Sequence, residues 1–336
     1  MTKLHMTSQI PHPERREMLA GVAGLALSLA TPWSRAQQDH WPSRPIRFVV
    51  NFPPGSSPDV LARALTQPLQ QSLGQSVVVE NRPGANGLVG GEAVVKASDQ
   101  HTFLVTAGST ITTNPFLYPK MPFDVSRDLL PVAGLARITL FLVVRPELGV
   151  RNLQEFVALL KNRPGKLSYG SAGNGSGMHL AGELFKSQAG VFAVHVPYRG
   201  AAPALQDLLA GQIDFLFDPG ISLSHVRAGK LVLLAVATQK RSPAFPDVMT
   251  MDEGGLSGFD AGTTHGVYAP ASTRPEVVAR LNTEINRALQ LPTVRTQVTS
   301  IGADPSPMSI SQYVSVMEAD SLRYARIIRE RHIQGD

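Results

Sequence analysis

The stretch Phe48-Val-Val-Asn-Phe-Pro-Pro-Gly-Ser-Ser-Pro-Asp59 carries the chain from an apolar strand through a turn into Val60-Leu-Ala-Arg-Ala-Leu65, which reads as helix. Ser57 suits the N-cap, Pro58 the first helical position, where a missing N–H costs nothing, and Asp59 the positive end of the helix dipole. A helix start of this kind keeps unpaired backbone N–H groups under a partial positive charge. Facing a cleft, it suits a carboxylate or a phosphate. Pro68, further along, predicts a kink or an interruption.

Working outward, the same unit recurs. Strand-like 46–50 leads to the helix just described, and 77–79 to Arg82-Pro-Gly-Ala-Asn-Gly87 and an Ala/Val-rich stretch. Strand-like 102–105 leads to Ala107-Gly-Ser-Thr110. A second set opens at Asn152-Leu-Gln-Glu155, which has capping-box form. It continues through 167–170 with the loop Ser171-Ala-Gly-Asn-Gly-Ser-Gly177, 192–196 with Pro197-Tyr-Arg-Gly200, 213–217 with Asp218-Pro-Gly220, and 231–237. Alternating strand and helix predicts an α/β fold with largely parallel sheets, and open α/β sheets hold ligands at the loops along one edge. After 266–270 come two amphipathic helices, marked by Val277, Leu281, Ile285 and Leu289 and by Tyr313, Met317, Tyr324 and Ile328. They need a sheet to cover. The chain is therefore expected to return to its first lobe, giving one lobe from 40–142 and 267–336 and another from 143–266.

The beginning of the chain stands apart. Arg15-Arg16, the uncharged 18–30 and Ser34-Arg35-Ala36 read as an export signal over residues 1–36, by the twin-arginine or the general secretory route. No later stretch approaches the ~20 uninterrupted apolar residues of a spanning helix. Without residues 1–36 the formal charge falls from +5 to +3, and no Lys/Arg run offers a footprint for nucleic acid or an anionic membrane. The absence of cysteine excludes disulfides, thiol nucleophiles and thiolate metal sites.

Eight motifs, in order along nearly the whole mature chain, resemble the substrate-binding proteins of tripartite tricarboxylate transporters, the Bug receptors. They are Trp41-Pro-Ser-Arg-Pro-Ile46, Phe52-Pro-Pro-Gly55 with Asp59, Glu80-Asn-Arg-Pro-Gly-Ala85, Tyr169-Gly-Ser-Ala-Gly-Asn-Gly-Ser176, Val196-Pro-Tyr-Arg-Gly200, Gly229-Lys-Leu231, Arg241-Ser-Pro243 and Phe245-Pro-Asp247. The resemblance implies a two-lobed periplasmic binding-protein fold, type II-like, that closes on a small organic acid in the cleft between its lobes. It also implies a periplasmic location, delivery to membrane transporter subunits, and no cofactor. We expect a monomer. Asn51 stands where the family commonly has proline, Ser56 where it has a second glycine, and His265 at or beside a common tryptophan. These departures bear on the substrate rather than on the fold.

The candidate ligand contacts follow. Phe52, Ser56 and Ser57 come from the opening turn, which on residues alone also reads as a plain capped turn; Asp59 reads as structural, because it would repel an anion. Gly108, Ser109 and Thr110 offer hydroxyls after a strand. Ser171, Gly175 and Ser176 form the second lobe's counterpart, with neither a G-x-S-x-G elbow nor a Walker lysine. Asp218 either accepts from a ligand amine or hydroxyl or caps the next helix. Arg199 reads first as a rim arginine, with a distal carboxylate as its alternative partner, and His265 as part of the cleft floor or mouth. His179 and Glu183 have metal-ligand spacing without a third ligand, so no metal is expected. Two further functions share these residues: a ligand sensor for a membrane signalling protein, and an exported α/β hydrolase using Ser176 and His179. The hydrolase lacks an oriented third partner.

Overall fold

The computed structural model describes residues 41–330 together with 2, 333 and 334, so the expected export signal lies outside the described residues. β1 (Ile46–Val50) buries every residue but Arg47 and leads into α1 (Ser57–Leu73). β2 (Val77–Asn81), α2 (Leu88–Val95), β3 (Thr102–Thr106), α3 (Gly108–Thr112), α4 (Asn114–Leu117) and α5 (Val125–Asp128) follow, and β4 (Leu129–Ile138) leads out of this group. β5 (Phe141–Val144) begins the second group: α6 (Leu153–Asn162), β6 (Ser168–Ser171), α7 (Gly177–Ala189), β7 (Val194–Pro197), α8 (Ala201–Leu209), β8 (Phe215–Asp218), α9 (Leu223–Arg227) and β9 (Val232–Val236). The chain then returns through β10 (Thr263–Pro270), α10 (Pro275–Ala288), α11 (Pro292–Ser300), β11 (Asp304–Pro305) and α12 (Ile310–Glu330).

Two sheets result, ordered β11-β4-β10-β3-β1-β2 and β7-β6-β8-β5-β9. Neither is largely parallel, contrary to the expectation from alternation. β1 pairs parallel with β2 and β3, and β6 with β7 and β8, but β10 is antiparallel to β3 and β4, and β5 to β8 and β9. The reason is the crossing itself. A strand that leaves one sheet for another needs no helical crossover and can join antiparallel.

The chain changes sheet between Ile138 and Phe141 and comes back between Val236 and Thr263. Phe141 and Leu142 thus pair in the second sheet and 263–266 in the first, a few residues off the expected boundaries. Hydrophobic patterning does not mark these points: 138–144 runs from β4 into β5 with Thr139 as its one polar residue, and β10 already belongs to the first sheet where it opens on Thr263-Thr264-His265.

α1 runs unbroken past Pro68, because Leu61, Leu65, Leu69 and Leu73 are all buried along one face and hold both halves on the same surface. Its N-cap is Ser56 rather than Ser57. Asn152 does cap α6, accepting the Glu155 N–H at 2.8 Å while its amide donates to the Glu155 carboxylate at 3.0 Å. Three C-terminal helices follow β10, not two; Pro292 opens α11, which packs with α10 on α1, while α10 and α12 cover β4. The second lobe's core is aromatic. Phe156 stacks on Phe185 at 6.0 Å between ring centres and meets Phe215 edge-on at 5.1 Å. Each such fully buried ring contributes about 1.5–3 kcal/mol.

Candidate functional site

A cavity of about 60 Å³ lies between the two sheets. The first lobe contributes Phe52, Ser56 and Ser57 from the β1–α1 turn, Ser109 after β3, and Thr263 and His265 from β10. The second lobe contributes Ala172, the N-cap Ser176, Gly177 and Met178 of α7, Ala201 of α8 and Pro219 after β8. Ile138 and Leu140 of the crossing form its back. No lysine, arginine, aspartate or glutamate is in this lining. The starts of α1 and α7 face the cavity from opposite lobes.

Local bonding explains how each group is held. The Ser56 hydroxyl donates to the Pro53 carbonyl at 2.7 Å, which closes the turn. Asp59 accepts from the Gly55 N–H at 2.9 Å, from Asn81 at 2.9 Å and from Arg63 at 3.0 Å, so it secures the turn from behind. Burial works to raise its pKa, but these bonds and the Arg63 charge outweigh it and the net direction is down. His265 is buried on β10, with Nε2 2.9 Å from Ser57 Oγ and Nδ1 accepting the Gly108 N–H at 3.3 Å. Burial pushes the His265 pKa down to about 3, so the ring is neutral. A side chain at Gly108 would meet the Thr263 hydroxyl and the Thr264 carbonyl, so glycine there lets the α3 start approach β10.

On the second lobe the Ser176 hydroxyl donates to the Gly173 carbonyl at 2.7 Å and accepts the His179 N–H at 3.4 Å. The Gly175 N–H goes to His179 Nδ1 at 3.0 Å, and its carbonyl accepts from Thr113 of the first lobe at 3.1 Å. Leu117 of the first lobe presses on Gly175, whose φ of +74° is open to glycine.

The remaining candidates lie elsewhere. Gly108 stands behind His265 and does not line the cavity. Thr110 is turned away, donating to the Asn86 carbonyl at 3.2 Å. Ser171 is fully buried and bonded to His195 Nε2 at 2.7 Å and to the Gly173 carbonyl at 3.0 Å. Asp218 accepts the N–H groups of Gly220 at 2.7 Å and Ser222 at 3.0 Å, so it holds the turn ahead of α9, whose own N-cap is Ser222. Burial raises its pKa to about 6. Arg199 is exposed and outside the lining.

The Ser176–His179 pair is not arranged as nucleophile and base: the bonds of Ser176 Oγ run to backbone, and the His179 ring stacks on His195 with centres 3.9 Å apart. Among the described residues no group of three or more acidic, His or Cys side chains could hold a metal, and no helix is long and apolar enough to cross a membrane. A larger groove of about 760 Å³ runs between α12 and the segment before β4, with Tyr118, Met121 and Met317 in its walls. It belongs to one lobe and shares no residue with the cavity.

Sequence reading missed Thr263, Met178, Ile138 and Leu140. For Thr263 the signal is period two from His265 on one strand; for the apolar residues nothing distinguishes a cleft wall from core.

Two mixed sheets joined by two crossings, with helix starts turned toward one another across a cavity, define a two-lobed solute-binding protein. The chain belongs to the tripartite tricarboxylate transporter family receptor (TctC) family, whose model matches residues 61–333. Protein BugT of Bordetella pertussis is 38% identical over 316 residues, covering 93% of this chain and 97% of BugT. An R. palustris protein solved with adipate superposes with a TM-score of 0.84 at 33% identity, over 88% of this chain and 99% of that one. MatC from Rhodopseudomonas palustris with bound malate gives 0.80 at 31% identity, over 86% and 100%.

Proposed function

We propose that the protein captures a small carboxylate-bearing acid in the periplasm and presents it to the membrane subunits of a tripartite tricarboxylate-type transporter, without catalysis. The observation that carries this reading is the pair of helix starts, α1 and α7, brought from opposite lobes to one cavity that Ser57 and Ser176 line. Helix starts stabilise an anion through unpaired N–H groups and the dipole, with no need of a cation. That two relatives of similar fold were solved with adipate and malate supports the same ligand class here.

The lining also narrows the class. Ile138, Leu140, Met178, Ala201 and Pro219 form an apolar wall, and the lining includes no lysine or arginine to neutralise further charges. The favoured ligand therefore has one seated carboxylate and a hydrocarbon body. A thermal-shift screen of mono-, di- and tricarboxylates tests this. An acid at a hundred times its dissociation constant stabilises by ~2.7 kcal/mol. We expect shifts from acids with an apolar body and at least tenfold weaker binding of tricarboxylates; no shift from any carboxylate would overturn the proposal.

A further inference from the structure

We infer that β10 orients a donor for the ligand carboxylate, with His265 as the positioning residue that aims the Ser57 hydroxyl. The inference rests on the carboxylate-binding reading and adds to it the residues that fix the polarity of the seat.

The hydrogen bonds of His265 determine its tautomer. A backbone N–H can only donate, so the Gly108 N–H, 3.3 Å from Nδ1, requires that nitrogen to be unprotonated. A neutral imidazole then carries its proton on Nε2, and Nε2–H donates to Ser57 Oγ at 2.9 Å. With that lone pair occupied, the Ser57 O–H is directed to another acceptor, and Ser57 lines the cavity. The chain Gly108 N–H to His265 to Ser57 O–H thus converts an ambiguous hydroxyl into an oriented donor. A hydroxyl and a backbone amide meet the two ring nitrogens, and burial favours the neutral form.

Thr263, two residues away on the same face of β10, adds no second donor. Its Oγ1 is buried against Gly108, behind His265, and it turns its methyl toward the α7 start at Gly177. The Ser57 hydroxyl is therefore the donor that this part of β10 controls.

The test has two readouts. Nitrogen-15 spectra of the imidazole groups in the ligand-free protein should show His265 protonated on Nε2 and bare on Nδ1 at neutral pH. The opposite tautomer, or a charged ring, overturns the positioning role whatever the ligand. In titrations with adipate and malate, Ser57→Ala and His265→Phe should each weaken the acid that binds the parent by about tenfold. Ser57→Ala combined with His265→Phe should lose no more than either alone, because both break one chain. Additive losses, or unaltered binding by both single variants, would overturn the oriented donor. If the parent binds neither acid, the oriented donor fails together with the ligand assignment, while the spectra still decide the His265 chain.

Discussion

Asp59 illustrates, at the scale of one residue, how the opening turn is held without its carboxylate being spent on the ligand. Its oxygens take Gly55, Asn81 and Arg63 behind the turn, while Ser56 and Ser57 at the helix start line the cavity. Because its pKa is depressed in the folded state, its contribution is fully present above the ordinary value of 3.8 and is lost as the pH falls through the depressed one. Asp59→Ala should therefore cost about 2 kcal/mol at neutral pH, the scale of hydrogen bonds to a charged group. In urea unfolding at pH 7 and near pH 3, the gap between parent and variant should narrow at the lower pH. An equal gap at both would mean that its charge is not what holds the turn. Ser57 and Ser176 were readable in the sequence because small polar residues before an amphipathic run announce a helix start. Their partners were not: His265 lies 208 positions from Ser57, and only the fold brings them together.

Among the elements, α12 ties the crossings to the first lobe. Arg137 at the end of β4 reaches Asp260 at 2.8 Å, Arg323 of α12 reaches the same carboxylate at 2.8 Å and Asp320 at 2.6 Å, and the Tyr324 hydroxyl donates to the Ala261 carbonyl at 3.1 Å. Both the outgoing and the returning segments are gripped at once. Asp260 is largely buried, so Asp260→Ala removes the carboxylate that two guanidinium groups share; we expect a loss of about 2–3 kcal/mol, below the full cost of breaking a wholly buried pair because both arginines keep some solvent and Asp320 stays beside them. Arg82→Ala, which breaks an exposed pair with Glu80, should cost no more than about 0.5 kcal/mol. Thermal unfolding of the two variants checks the contrast, and equal losses would deny the clamp a special role. The periodicities of the C-terminal helices were legible, and Tyr313, Met317, Tyr324 and Ile328 are buried as their spacing implies. The clamp was not legible, since Arg137, Asp260 and Arg323 carry no local signature. The antiparallel joins of β5 and β10 were hidden for the same reason, because apolar strands read alike in either direction.

For the whole molecule, the contacts between the lobes bear on how a ligand reaches the cavity. The Thr113 hydroxyl donates to the Gly175 carbonyl at 3.1 Å and Leu117 packs against Gly175, so the lobes touch across the cleft. Entry of an acid between them is expected to loosen these contacts, and binding to draw the lobes together again. The ligand-free protein in solution should populate wider openings, and small-angle scattering should show the radius of gyration falling when a bound acid bridges both lobes. An unchanged radius at saturation would mean that binding does not draw the lobes together. The central claim, that the α7 start and Ser176 seat the acid from the second lobe, is tested most directly by titration calorimetry of Ser176→Asp beside the parent. Aspartate caps a helix as well as serine but cannot donate to the Gly173 carbonyl, so the fold should lose only about 1 kcal/mol while a fixed carboxylate occupies the ligand's place. The account predicts affinity at least tenfold weaker, a loss of about 1.4 kcal/mol or more. Equal affinity in variant and parent would contradict it.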